Sequence, residues 1–372
     1  MGKCVMYIMG MDSTKYGGIE RYNVLLAHEL STRGFHGVFL YESRPVNDQF
    51  CVDLKAAGGE LVICNSRHSK VRFCIELLKH LAHYRPLLLH AHFTKARFYA
   101  LPIAYLCGIK KIFFTHHGEV GDKHDMKPWT RMWNQWAGQV AQVIAVSDSI
   151  RREIIKNWPK SKVETIYLGV KDMRQDCEAC RKKIGETNDK IILLCVANFN
   201  HIKGLDVLCK ALGLLKNNLQ LAPETRLYLV GQPQRDIDEL ALLVSTIGID
   251  DYVVMTGIRN DVETYMNAAD IYIQPSRSEG IGLTLMEAAS VGLPLIGTHT
   301  GGIPEVIHDG ENGILVEKGN ESALAEAIAT LISEENLRKL YGLQSRNIYT
   351  SNFNIDNCIQ KLLSLYNLDS AK

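Results

Sequence analysis

The stretch Ile271-Tyr272-Ile273-Gln274-Pro275-Ser276-Arg277-Ser278-Glu279-Gly280-Ile281-Gly282-Leu283-Thr284-Leu285-Met286-Glu287-Ala288-Ala289 decides the fold. Its first four residues are a short apolar run, Glu279 sits in a glycine-rich turn, and the residues from Leu283 read as a helix that Gly292 and Pro294 end. A second run, Leu295 to Thr298, follows at once. Strand, turn, helix, strand predicts a parallel β-α-β unit.

Outward from this unit the same alternation fills the chain. Upstream runs stand at Ile191 to Val196, Arg226 to Val230 and Tyr252 to Met255. An earlier set stands at Val5 to Met9, Gly37 to Tyr41, Leu61 to Cys64, Leu87 to His90, Lys111 to Thr115 and Val143 to Val146. Each is the length of a buried parallel strand and is separated from the next by a helix-length segment, so the fold class is α/β with two Rossmann-like lobes. The polar stretch 171–190 is expected as a linker between a first domain, 1–170, and a second, 191–352. The tail 353–372 carries helical apolar spacing (Ile355, Cys358, Ile359, Leu362, Leu363, Leu365, Tyr366) and could pack on either lobe.

Composition sets the outer bounds. At roughly 150 residues per domain, 372 residues allow two domains. Hydrophobic residues are 46% and charged residues 22%, a globular balance. Lys and Arg total 42 against 41 acids, a net charge of +1, so the broad positive field that nucleic-acid binding needs is missing. The start lacks a signal-peptide pattern, Met6 stands where myristoylation wants Ser or Thr, and the apolar stretch 98–109 is too short to span a bilayer. A cytoplasmic location is expected, with the ten cysteines reduced. Cys177 and Cys180 form a lone CxxC, for which a charged segment is the plainer reading than zinc.

Several constellations bear on chemistry. Gly17-Gly18 precede a helical segment whose free N–H groups suit a diphosphate, although the spacing is not GxGxxG. His90 with His92, and His116-His117 before Gly118, end neighbouring strands, where α/β folds put their sites. Metal ligation and satisfied imidazoles are the competing readings. Asp236-Ile237-Asp238 mimics a metal-binding DxD, yet it opens a polar helix and reads as a solvated first turn. In the second lobe Asn198 to Gly204 follows a strand, and its Lys203 suits a diphosphate as a mobile point charge. Glu279 and Glu287 lie on the order of 10 Å apart along a helical path, which fits a nucleotide sugar across the helix mouth. One carboxylate would take sugar hydroxyls and the other ribose hydroxyls, with the amides of Gly282, Leu283 and Thr284 facing the diphosphate.

The run from Pro275 to Val316, with its Glu-x7-Glu pair and Gly301-Gly302-Ile303-Pro304-Glu305, closely resembles the retaining GT-B glycosyltransferases of family four. Gly17-Gly18-Ile19-Glu20, Thr115-His116-His117-Gly118, Ala145-Val146-Ser147 and Lys203-Gly204 stand in that family's order. The resemblance implies a GT-B fold with a donor/acceptor cleft between the lobes and a final helix that crosses back to the first. It implies that Lys203 neutralises the diphosphate, that Glu287 holds the ribose, and that Glu279 with the amides of Ile281 and Gly282 binds the sugar. Gly257, Ile258 and Arg259 would meet the base, and His117 would touch the donor sugar. It also implies metal-independent, retaining transfer, with a nucleotide sugar as co-substrate and no bound cofactor. Asn198 stands where many members carry Arg, so a second phosphate cation is lacking or is supplied by Arg259 or Arg277. Ile281 replaces a common Phe, and Gln232-Pro233 a common glycine.

The segment Arg67 to Arg85 interleaves five cations with apolar residues, and Trp129, Trp133 and Trp136 recur at helical spacing beside Lys127 and Arg131. Both patterns suit a bilayer surface, equally a helix with solvated charges. On the first reading the acceptor is a lipid-linked glycan or glycolipid, and the protein sits on the inner leaflet. A nucleotide-sugar epimerase and a non-catalytic partner subunit are the rival functions.

Overall fold

The computed structural model describes residues 3–14, 16–65, 69–92, 94–118, 127–218, 221–231 and 237–368. Arg67, Gln232, Pro233 and Asp236 lie outside the described residues. The chain divides into two compact units, Met1–Leu168 with Ile355–Lys372, and Gly169–Asn354.

The first unit runs β1 (Lys3–Ile8), α1 (Gly18–Thr32), β2 (Phe35–Tyr41), α2 (Asp48–Ala56), β3 (Gly59–Ile63), α3 (Lys70–Tyr84), β4 (Leu88–His92), α4 (Thr94–Leu106), β5 (Lys111–His116), α5 (Pro128–Val140), β6 (Gln142–Ala145), α6 (Asp148–Asn157) and β7 (Val163–Thr165). Its seven strands are parallel in the order β3-β2-β1-β4-β5-β6-β7. The second unit runs α7 (Cys177–Ile184), β8 (Ile191–Val196), α8 (Leu205–Asn217), β9 (Thr225–Val230), α9 (Ile237–Ile247), β10 (Val253–Gly257), α10 (Val262–Ala268), β11 (Ile271–Gln274), α11 (Leu283–Val291), β12 (Leu295–Thr298), α12 (Ile303–Val306), β13 (Gly313–Val316), α13 (Glu321–Ser333) and α14 (Glu335–Ile348). Its six strands are also parallel, in the order β10-β9-β8-β11-β12-β13.

Central strands are apolar on both faces because helices cover both: Val5 to Ile8 and Ile192 to Val196 are all buried. The order reverses at β1/β4 in one sheet and at β8/β11 in the other. Crevices open at such switch points beyond the carboxyl ends of the strands, and they position ligand sites.

The last helix, α15 (Ile355–Tyr366), belongs to the first unit. Its Ile355, Ile359, Leu362, Leu363 and Tyr366 enter the core that holds Tyr7, Leu26 and Phe39. The stretch 171–190, expected as a linker, folds with the second unit. Asp176 caps α7 by accepting from Ala179 N at 2.7 Å. The buried Arg181 donates to Asp270 Oδ2 at 2.7 Å and to the Lys190 carbonyl at 3.0 Å. A buried cation needs its counter-charge and acceptors within the same body, so α7 is anchored rather than free.

Candidate functional site

In the second unit the loops after β8 and β11 flank the switch point, and glycines let them touch. Gly204 has φ +68, and a Cβ there would lie 2.0 Å from the Pro275 carbonyl oxygen. The loop after β12 joins them through Gly301, whose Cβ would meet the Glu279 carbonyl oxygen at 1.7 Å. Phe199, fully buried, pins the first loop into the core.

This packing brings Lys203 to Glu279, two residues 76 apart in sequence. Lys203 Nζ donates to Glu279 Oε2 at 2.6 Å, with the two side chains 23% and 15% exposed. The same oxygen accepts from Gln274 Nε2 at 3.1 Å and Ser276 Oγ at 3.4 Å. Gln274 is fixed in turn by Tyr272 and Thr284, whose hydroxyls donate to its Oε1 at 2.9 and 3.2 Å. Three donors on Oε2 orient the carboxylate.

Gly282, at φ +81, caps α11. The helix therefore starts abruptly, and its first amides point out at the positive end of the dipole beside Lys203 and Glu279. Glu287 lies one turn on within α11, half-buried. Ile281 is buried, whereas Asn198 is exposed.

The other sequence candidates divide. Arg277, considered as a second phosphate cation, forms a two-pronged pair with Asp206 at 2.7 Å on each arm and donates to the His201 carbonyl at 2.7 Å. Arg259 is held by Asp261 at 2.9 and 3.0 Å and lies 5.4 Å from the Tyr265 ring centroid. Gly257 has φ +70, and its carbonyl accepts from Gly231 N at 3.0 Å. Ile258 next to it is exposed. In the first unit Gly17 N already donates to the buried Glu20 at 3.0 Å, so this amide, expected for a diphosphate, is taken by the helix's own carboxylate.

His90 is a satisfied core histidine: it contacts the Tyr366 hydroxyl and, at 2.7 Å, Thr115 Oγ1. His92 Nδ1 lies 3.1 Å from His117 Nε2. Among the described residues no group of three or more His, Cys, Asp or Glu is placed to hold a metal ion. Burial pushes the His90 and His116 pKa values down to about 3 and that of His117 down to about 4, and His92 falls well below the ordinary value for the same reason. These rings stay neutral in the fold while an unfolded histidine protonates near pH 6.5. The unfolded state then binds more protons at acid pH, so their contribution is fully present above about pH 6.5 and is lost as pH falls toward 3. Urea unfolding followed from pH 7 to 4 should show the first unit losing up to about 1.4 kcal/mol per pH unit for each such ring. His90→Asn should flatten that slope, and a pH-independent midpoint would contradict the burial.

Sequence reasoning missed Gln274 and Ser276 as partners of Glu279, and it missed Arg97. That guanidinium is 3% exposed, donates to Asn134 Oδ1 at 3.1 Å and lies 4.2 Å from the Phe114 ring centroid. Burial lowers its pKa to about 9.

Two family models cover most of the chain. The model described as Glycosyltransferase Family 4 matches residues 16–174, and Glycosyl transferases group 1 matches residues 176–347.

The chain belongs to glycosyltransferase family four.

Among relatives of this family member, N-acetyl-alpha-D-glucosaminyl L-malate synthase of Bacillus anthracis is 27% identical over 230 residues, 60% of this chain and 58% of that protein. A GDP-mannose-dependent alpha-(1-6)-phosphatidylinositol monomannoside mannosyltransferase of Mycolicibacterium smegmatis is 27% identical over 262 residues, 66% and 67% of the two chains. The match thus spans under two thirds of the first relative's length. The Anabaena Alr3699/HepE structure in complex with UDP superposes with a TM-score of 0.82 at 20% identity, over 98% of this chain and 100% of that one, and shares the GT-B fold.

Proposed function

We propose that this family-four member transfers a hexosyl or N-acetylhexosaminyl group, with retention, from a nucleotide sugar to an acceptor hydroxyl. The reading is carried by the Lys203–Glu279 pair at the switch point of the second sheet, set against the start of α11. A diphosphate there would draw the Lys203 ammonium and lie against the amides of Gly282, Leu283 and Thr284. Glu279, held through Oε2, would offer Oε1 to the sugar, Glu287 would take the ribose, and Gly257 to Arg259 the base. His117 is the first unit's candidate for the sugar.

Breaking the anomeric C–O bond develops negative charge on the departing diphosphate, so stabilising that charge is the main catalytic task. Lys203 and the helix dipole can do this without a metal ion. The leaving phosphate can itself accept the acceptor hydroxyl's proton on the same face.

UDP is the favoured nucleotide because the Anabaena neighbour was solved with it. The acceptor is read as lipid-borne and the location as peripheral on the cytoplasmic membrane face. The mannosyltransferase relative is named for phosphatidylinositol monomannoside. No helix among the described residues is long and apolar enough to cross a membrane, so contact would be through surface segments.

Glu287→Ala should weaken UDP binding about 10-fold or more, the worth of hydrogen bonds to a charged group, in isothermal titration. Unchanged affinity would remove Glu287 from the nucleotide site. The commitment of Arg277 to Asp206 and Arg259 to Asp261 favours one second reading, a non-catalytic partner subunit with too little phosphate charge. Product analysis with UDP-, GDP- and ADP-sugars on total lipid extract separates the two, since a partner subunit alone makes no glycosylated product.

A further inference from the structure

The first unit also carries a cavity at the end of its sheet away from His92, His116 and His117. The amino ends of β1, β2 and β5, the close of α3 and the turn after α4 surround about 930 Å³. That volume is within the ~300–1,000 Å³ typical of small-molecule sites. Phe35, Leu78, Leu81, Leu87 and Ile109 line it, together with four cations, Lys3, Arg85, Lys110 and Lys111, and among the described residues no carboxylate does. Lys111 Nζ is steered by the carbonyl oxygens of Tyr366 and Asn367 at 3.1 and 2.6 Å, and Lys3 Nζ lies 5.6 Å from the Phe35 ring centroid. Neither contact cancels a charge.

Two further observations point outward from this cavity. Arg85 ends α3 at φ +44, a left-handed conformation strained for a non-glycine residue, and it stands on the cavity wall. Apolar side chains are also left in solvent: Leu78 and Leu87 on the wall, Ile75 and Val71 about one and two turns back along α3, and Leu106, 82% exposed, at the end of α4. Lys70 and Lys79 lie on the same helix as Val71 and Ile75, while Arg72 there is paired with Glu76 at 2.7 Å. An apolar slot whose described charged residues are all cations complements an amphiphile with an anionic head.

We propose that this cavity takes an acyl chain of an anionic phospholipid from a bilayer surface, with the lipid phosphate met by Lys3, Arg85, Lys110 and Lys111. The inference rests on reading the first unit as the membrane-facing half of a lipid-glycosylating enzyme. It adds an anchoring site distinct from the acceptor site. Strands of five or six residues separate the two ends of the sheet by roughly 17–20 Å, so a lipid held here does not present its head to the strand ends that carry the histidines.

The test is cosedimentation of the full chain with vesicles of phosphatidylcholine alone, or mixed equally with phosphatidylglycerol. UDP binding and thermal unfolding are measured in parallel. The wild type should bind the mixed vesicles and not the neutral ones. Arg85→Glu with Lys110→Glu should weaken that binding by about fivefold or more for each charge lost. Leu78→Gln, at a half-exposed position that folding tolerates, should also weaken it, and UDP affinity should stay unchanged in all variants. Binding to mixed vesicles that survives these changes but is lost in Trp129→Ala would overturn the cavity site and leave membrane contact standing. Equal binding to both vesicles, binding of free dodecyl phosphate without vesicle binding, or self-association through this face without vesicle binding would each overturn it. Loss of UDP binding by the wild type would count against the transferase reading, separately from the lipid result.

Discussion

Replacing Lys203 with alanine is expected to lower kcat by about 10²–10³-fold, the loss typical of removing one donor to a developing oxyanion. The nucleotide-sugar Kd should rise by less than about tenfold. The ammonium is satisfied by Glu279 at 2.6 Å, so ground-state binding exchanges one anionic partner for another and gains little. Charge grows on the diphosphate only as the anomeric bond breaks, and there the lysine's full effect is realised. Because the variant also strands a mostly buried carboxylate, Lys203→Ala combined with Glu279→Gln should cost less than the two single losses added together. Steady-state kinetics beside titration of the donor checks this; a variant that loses affinity and keeps kcat would contradict it.

Gly301→Ala should destabilise the second unit by more than about 4 kcal/mol or rearrange the site. The Cβ would lie 1.7 Å from the Glu279 carbonyl oxygen, a backbone atom with no side-chain freedom to retreat, and φ is +52. The chain must then move the loop that carries Glu279 or give up the turn. Gly310→Ala makes the control, since that glycine also has positive φ but nothing within 4 Å of its Cβ, and it should cost only about 1 kcal/mol. Urea unfolding of both variants measures the difference. Equal losses would mean that the three loops do not meet as described.

Much of the fold was legible because buried parallel strands are continuous apolar runs, and Ile191 to Val196, Ile271 to Gln274 and Leu295 to Thr298 coincide with β8, β11 and β12. The two strands without a run in the sequence reading, β7 and β13, each lie at one edge of their sheet. Val163-Glu164-Thr165 is only partly buried and leaves no apolar signal. The helix α7 was hidden for a related reason: its anchor is a buried arginine satisfied by Asp270, 89 residues away, and hydropathy reads that residue as solvent-exposed.

At the site, Lys203 and Glu279 stood out by position after a strand and within a glycine turn. Their direct contact depends on Gly204 packing against Pro275, which spacing does not encode. Arg277 shows the converse. Its charge and place suited a phosphate, but Asp206, 71 residues earlier, holds both of its arms. Arg97 gave no signal because a lone arginine in an apolar segment looks like a surface residue until the aromatic rings around it are known.

The most direct test of the donor site is a crystal of the full chain soaked with a UDP-sugar. The diphosphate should lie within hydrogen-bond distance of Lys203 Nζ and the first amides of α11, with the ribose hydroxyls on Glu287 and the sugar on Glu279. A donor bound with its diphosphate away from Lys203 and α11 would contradict it.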